Sequence, residues 1–286
     1  MKFKSPVTDI IRHRKSVRTF NSNGLSTDQI NQLKALLQAN LNAPFGNTVY
    51  FSLIDKQRVQ ETEKVKIGTY GFISGAQYYI VGQVLNTNPM ACIDYGYLLE
   101  AIILYITEMG LGTCWLGGTF NRSDFLGILK QDDQYIIPAI TPVGVSSQKQ
   151  SRRERIIRWG AGSDNRKNSS DLFFNQSPGT PLTESEADVY SLPLEMVRLA
   201  PSASNKQPWR IVKSGDDFHF YLSRTKGYNK LFGGVDLQKV DMGIAMLHFE
   251  YTCNQLNVAG KWVVQTDTPP LIQDLEYCFT WVPGKY

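Results

Sequence analysis

Apolar residues recur at helical spacing in four stretches of this chain, and the stretches fall into two pairs. In LSTDQINQLKALLQANLNAP, residues 25–44, Ile30, Leu33, Leu37 and Leu41 lie near one helix face. That spacing lets a helix bury one stripe of side chains. Ser26 stands just before the periodic part, where an N-cap belongs. LTESEADVYSLPLEMVRLAP, residues 182–201, opens with Thr183 in the same role and also ends at Ala-Pro. Leu25 precedes Pro44 by nineteen residues, as Leu182 precedes Pro201, and the offset between the copies is 157. The second pair is more apolar. DYGYLLEAIILYITEMGLGTCW and DMGIAMLHFEYTCNQLNVAGKW each begin Asp-x-Gly, with nineteen residues from Gly96 to Trp115 and from Gly243 to Trp262, at an offset of 147. Both predict long, largely buried helices. Gly110 or Gly112 is the stop in the first copy, and a strand follows each helix.

Four landmarks in one order, twice, predict an internal duplication. The expected division is residues 1–160 and 161–286, with the boundary in the Gly/Ser/Asn-rich segment at residues 159–181. The expected fold class is α+β: a mixed sheet flanked by helices, made twice and joined through the two Asp-x-Gly helices. A fused pair of this kind mimics a two-fold homodimer, so the chain is expected to be a monomer with its ligand cleft at the seam.

Composition narrows the class. Hydrophobic residues make up 42% and charged residues 20% of the 286 positions, an ordinary globular balance. No apolar run approaches the roughly 18 residues of a membrane span. The start, MKFKSPVTDIIRHRKS, has neither the apolar core nor the cleavage site of a signal peptide. Cys92, Cys114, Cys253 and Cys278 are widely spaced and form no C-x-x-C. These features predict a cytoplasmic protein without a disulfide framework. The three histidines are scattered, which argues against a metal centre.

The net charge of +4 conceals two basic clusters. Residues 1–20 carry six cations and one acid, and residues 146–170 carry seven cations and two acids. Either these are solvated faces or they meet a compact anion such as a phosphate. Interleaved aromatics and nucleic-acid motifs are missing, so nucleic acid is not the expected partner.

Candidate chemistry is divided between the copies. Arg14, Lys15, Ser16 and Arg18 offer cations and a hydroxyl within five residues, a set suited to gripping phosphate. The alternative is a helix end whose cations meet the negative pole of the dipole. Ser5-Pro6 reads as an N-cap with proline at the first helical position, and this helix should end near Arg14. At the 157-residue offset Arg14 falls on Asp171, and the basic cluster is absent. Conversely, Pro201, Ser202, Ala203, Asn205 and Gln207 make a polar turn before Trp209, whereas the first copy has only APFGN. Gly117-Gly118 after Trp115 becomes Val264-Gln265 after Trp262. Glycine there lets backbone amides approach a flat ligand closely. Neither half has a full set; together they make one site. Glu100, Glu108 and Asp94 are expected in capping or helix-surface roles, and Trp209 as a core anchor.

RKSVRTF, APSASNKQPWRI, DYGYLLEAIILYITEMGLGTCWLGG and PAITPVGV together resemble the successive motifs of the flavin-dependent nitroreductase family, over most of residues 5–265. The arrangement is similar to its fused, pseudo-dimeric branch. The resemblance implies FMN at the seam. Arg14, Lys15, Ser16 and Arg18 match its phosphate and ribityl contacts. Pro201, Ser202, Ala203 and Asn205 match the loop laid over the isoalloxazine, and Gly117 and Gly118 the turn beside N5. A further basic pair, Arg166-Lys167 or Arg152-Arg153, is implied near the phosphate. Tyr70 and Gly71, beside Phe72, stand where the family usually meets the pyrimidine edge with Asn or Lys. The implied activity is hydride transfer from NAD(P)H through FMN to a small-molecule acceptor, a nitroaromatic, quinone or related compound, with no catalytic side chain named. The alternative is a flavin-binding carrier or sensor without turnover.

Overall fold

Gly96 and Gly243 hold the centre of the molecule. They lie in the two longest helices among the described residues, Ala91–Glu108 (α4) and Leu237–Gln255 (α8). A Cβ on Gly96 would lie 2.1 Å from the carbonyl oxygen of Val240, and one on Gly243 would lie 1.9 Å from that of Ile93. Ile93 and Val240 are themselves 147 residues apart, so the two contacts are exchanged by the same offset that relates the sequence copies. The helices touch backbone to backbone, as only glycine allows. The long-helix copies therefore form a reciprocal pair, the arrangement of a two-fold dimer within one chain.

The computed structural model describes residues 1–62, 67–129, 134–147, 165–228, 235–265 and 272–284. Two sheets flank the central helices. The first orders Val49–Asp55 (β1), Tyr78–Leu85 (β2), Ile140–Gly144 (β5) and Gly112–Thr113 (β3) as β1-β2-β5-β3, with Tyr135–Ile136 (β4) also on β2. The second comprises Phe173–Asn175 (β6), Trp209–Ser214 (β7), Asp217–Ser223 (β8), Gly260–Val263 (β9) and Leu275–Pro283 (β10), ordered β6-β7-β8-β10-β9. Apart from β6 and β4, the two orders correspond strand for strand, and all these pairings are antiparallel. β4 and β5 pair with one strand, β2, and are separated by residues 137–139, where Pro138 has no N–H to give a ladder. Their counterpart β10 runs through continuously, with a bulge between Tyr277 and Phe279. Sheets and helices together give the α+β, duplicated fold.

The helices start largely as expected. Thr27–Gln38 (α2) has a capping box, with Ser26 accepting from Gln29 N–H and the Gln29 side chain bonding back. Thr183 makes the same box with Glu186. The second copy is broken, however, into Glu184–Ala187 (α6) and Ser191–Leu199 (α7). Pro193 suits the first turn of a new helix and not the interior of an old one. The short helices Lys56–Thr62 (α3) and Arg122–Leu129 (α5) belong to the first half.

Two expectations are corrected. Val7–His13 (α1) ends at Arg14 as expected, but Pro6 occupies the N-cap without a side-chain bond. Ser5 serves otherwise: its N–H and that of Lys4 donate to Glu108 Oε1 at 2.7 and 2.8 Å, tying the N-terminus to α4. The equivalence of Arg14 and Asp171 also fails in space. Residue Val17 donates to the Thr113 carbonyl beside β3. The segment 157 residues later instead forms β6 and pairs in parallel with Ile211–Lys213 of β7. That pairing covers an edge which would otherwise expose a row of unpaired backbone groups.

Candidate functional site

The segment after α1 runs alongside β3. Ser16 bridges to Thr113, Val17 N–H donates to Thr113 O at 2.8 Å, and Phe20 N–H donates to Ser74 O at 2.8 Å. Gly112 permits this approach, since a Cβ there would lie 2.8 Å from Val17. Arg14, Lys15, Ser16 and Arg18 are thereby held along the rim of a cavity of about 520 Å³, within the range of small-ligand sites.

The opposite wall comes from the second half. Pro201, Ser202, Ala203 and Asn205 all line the cavity, as does Arg166. Ala203 N–H donates to Asp241 Oδ1 at 2.9 Å, and Gln207 N–H donates to Ser202 Oγ at 2.8 Å. Ser204, Asn205 and Gln207 hold φ values of 50, 52 and 48°. Non-glycine residues in that region are strained, and they persist where surrounding bonds enforce them. Here Arg166 donates to Asn205 Oδ1 at 2.9 Å, Asn205 Nδ2 donates to Asn165 O at 2.7 Å, and Ser204 Oγ meets the Tyr228 hydroxyl at 3.0 Å.

Gly117 and Gly118 line the floor. A Cβ on Gly117 would meet the terminal methyls of Leu237 of α8 at 2.8 Å, so any larger residue there would push that side chain aside. Arg122, which the sequence did not single out, clamps this turn from outside. It donates to Gly117 O, to Pro138 O at 3.2 Å and to Ile137 O at 3.1 Å. A lone arginine opening a short helix carries no motif that would have revealed it.

Three expected positions lie elsewhere. Tyr70 and Gly71 are not among the lining residues; Phe72 is. Tyr70 and Gly71 have φ of 46 and 75°, and this tight turn leaves Tyr70 70% exposed while Phe72 reaches the cavity. Lys167 also does not line it. Its N–H donates to Gln207 Oε1 at 2.8 Å, and burial with nearby Arg210 and Lys206 lowers its ammonium pKa. Arg152 and Arg153 lie outside the described residues.

The electrostatics favour an anion. Arg12, Arg14, Lys15, Arg18 and Arg166 line the cavity. The lining carboxyl, Asp241, is 3% exposed, and burial pushes its pKa well up despite the Ala203 bond. Burial thus disfavours the charged form of Asp241 and extends its protonated form to higher pH than in a free carboxyl. A carboxyl held above its unfolded value favours folding most at low pH, and that contribution is lost as pH rises from about 3.9 through the folded value. Asp241→Asn keeps an acceptor for Ala203 and removes the ionisation. The melting temperature of the variant minus that of wild type should therefore rise as pH is raised from about 4 to 8, because wild type loses its contribution over that span and the variant has none to lose. A flat difference across that range would mean Asp241 ionises freely in the fold.

The related region of the other half is built differently. Asp94 accepts from Phe45 N–H, Asn47 N–H and Asn47 Nδ2 at 3.0, 3.0 and 2.8 Å, so the same aspartate again holds the Ala-Pro loop; fully buried within α4 and bonded to a loop, it takes neither the capping nor the helix-surface role expected of it. There Phe45 lies against Phe279 at 6.0 Å, and Phe279 packs edge-on to Trp262 at 5.1 Å. At the 157-residue offset Phe45 stands where the other loop has Ser202, so an aromatic ring replaces a hydroxyl there. Trp209 is fully buried.

The family described as "Putative TM nitroreductase" matches residues 6–253. Among solved structures, a putative nitroreductase from Thermotoga maritima MSB8 aligns over 98% of this chain and 95% of its own, at 16% identity and a TM-score of 0.61. A nitroreductase family protein from Clostridium novyi NT covers 52% of this chain and 87% of its own, at 21% identity and a TM-score of 0.40. An FMN-dependent nitroreductase from Clostridium difficile R20291 covers 50% and 88%, at 22% identity and a TM-score of 0.40. No curated protein matches the chain. No helix among the described residues is long and apolar enough to cross a membrane. The family match takes in the basic segment, the Ala-Pro loops and both central helices, and the chain belongs to this nitroreductase family.

Proposed function

We propose that this chain is an FMN-dependent oxidoreductase that moves a hydride from NAD(P)H to a nitroaromatic, quinone or related acceptor, with one FMN held at the seam between residues 1–160 and 161–286. One observation carries the reading. The basic segment of the first half and the Ser/Asn loop of the second, almost 190 residues apart, line the same cavity.

The residues present fit the group. Arg14, Lys15, Ser16, Arg18 and Arg166 would hold the phosphate and the chain leading to it, through charge-assisted hydrogen bonds. Gly117 and Gly118 would bring backbone close to a flat ring, and Pro201, Ser202, Ala203 and Asn205 would cover its other side. When bound, FMN supplies reversible hydride transfer, so no side chain need act as acid, base or nucleophile. The protein binds, orients and excludes water, and its cations favour negative charge in the cleft. Asp241, whose burial disfavours its charged form, opposes them less than an exposed carboxylate would.

The test is the visible spectrum of the purified chain, with mass spectrometry of what denaturation releases and sedimentation of the native protein. A yellow monomer releasing one FMN per chain is expected. NAD(P)H should bleach it, and a quinone should restore the colour. A colourless chain that also refuses added FMN would overturn the proposal. Bound flavin that NAD(P)H cannot reduce would leave a carrier, and two flavins per chain would mean that the related region of the other half also binds.

A further inference from the structure

Behind the cavity wall lies a buried network that flavin binding does not use directly. Glu100 on α4 and His248 on α8 are both fully buried. His248 Nε2 is 2.9 Å from Glu100 Oε1, and His248 Nδ1 is 2.9 Å from the Met196 carbonyl oxygen. Trp115 Nε1 donates to Glu100 Oε2 at 2.7 Å, and Arg14 Nε lies 3.9 Å from Glu100 Oε1. Arg14 and Trp115 both line the cavity. Glu100 thus touches two wall residues from behind, and its partner histidine comes from the other half of the chain.

The proton count follows from the donors. A carbonyl only accepts, so Nδ1 of His248 must carry a hydrogen. Nε2 then either donates to a Glu100 carboxylate or accepts from a Glu100 carboxylic acid. Both arrangements place one proton between the two groups, and both leave the pair with no net charge. Without that proton, a carboxylate oxygen would face an imidazole lone pair at 2.9 Å in a dry interior. Arg14 stands next to a glutamate whose charge is already cancelled.

We infer that Glu100 is a positioning residue for Arg14 and Trp115, and that His248, by cancelling the charge of Glu100, leaves the positive charge of Arg14 available to an anionic group in the cleft. The inference rests on the reading that Arg14 meets the phosphate of the bound ligand. It explains why a basic cleft tolerates a buried glutamate behind Arg14, whose side chain is itself only 7% exposed. If Glu100 were an uncompensated anion, Arg14 would be half-neutralised before any ligand arrived.

The probes are FMN and riboflavin, which differ by the phosphate, and the reading is the ratio of their dissociation constants for the full chain. His248→Gln leaves Glu100 ionised and should cut the preference for FMN about tenfold or more, the scale of one unit charge a few ångströms from the contact. Glu100→Gln should leave the preference within about twofold, because a neutral pair is exchanged for another neutral pair. Glu100→Gln with His248→Gln should recover the wild-type preference, a rescue that mere loss of packing would not give. The inference is overturned if His248→Gln keeps the preference, if the double variant stays as low as His248→Gln, or if Glu100→Gln raises the preference tenfold. Should His248→Gln not fold, the Glu100→Gln ratio still decides. Arg14→Ala separates the two ideas. If it abolishes the preference while His248→Gln does not, the pair inference alone fails. If it leaves the preference intact, the phosphate is not at Arg14 and both fail.

Discussion

Gly243→Ala should lower the melting temperature by about 6 °C or more, the equivalent of about 3 kcal/mol in a chain of this size. The added methyl would lie 1.9 Å from the carbonyl oxygen of Ile93 and 2.7 Å from the Tyr97 amide nitrogen. Neither is a flexible side-chain end. Both belong to the backbone of α4, so relief requires the two central helices to part. That movement would disturb the buried residues packed along both helices, from Ile93 and Leu98 to Met242 and Phe249. It would also displace Val240, Asp241 and Ile244, which line the cavity within one turn of Gly243, so flavin occupancy should fall with stability. Gly127→Ala is the control. A Cβ there meets nothing within 4 Å, and alanine suits the middle of α5 better than glycine by about 0.5–1 kcal/mol. The pair of variants should move in opposite directions in a thermal melt. A Gly243→Ala protein melting within a degree of wild type would show that the helices do not meet by backbone.

The same glycines show what the sequence made legible. Asp-x-Gly stood out as a repeated landmark, and the duplication could be read from it, because repeats and helix caps are local patterns. Ser26, Thr183 and the two long helices were readable for that reason. What lay beyond was non-local. The sequence did not show that Gly96 and Gly243 meet each other's backbone neighbours, since that contact joins residues about 150 apart. Nor did it show that residues 173–175 cover the edge of β7, because a three-residue parallel strand has no signature of its own. The site was half legible in the same sense. The motifs named both walls of the cavity, but Tyr70 and Gly71 turn away through left-handed backbone angles and Phe72 enters instead. Glu100 was read as a helix-surface or capping acid. It is fully buried, and its partners Arg14, Trp115 and His248 come from three separate stretches of chain.

Arg14→Ala and Ser202→Ala should each weaken FMN binding, although 188 positions separate them in the chain. Arg14 has a side chain only 7% exposed, so it is already desolvated and aligned before a ligand arrives. Removing a charge-assisted contact of that kind costs about 1.5–3 kcal/mol, or roughly 10- to 150-fold in the dissociation constant. Ser202 acts differently. Its hydroxyl oxygen accepts from Gln207 N–H, and that bond closes a loop in which Ser204, Asn205 and Gln207 all sit at positive φ. Alanine would release the strained turn as well as remove a donor beside the ligand, at about 1–2 kcal/mol, or 5- to 30-fold. The losses should differ in kind. Riboflavin binding, which lacks the phosphate, should suffer from Ser202→Ala and be nearly indifferent to Arg14→Ala. Fluorescence titration of both ligands against both variants separates these cases. If Ser202→Ala left both affinities unchanged while Arg14→Ala did not, the Ser202 turn would contribute no binding energy, and any share of the second half in the site would have to come from its other lining residues, Arg166 and Asn205 among them.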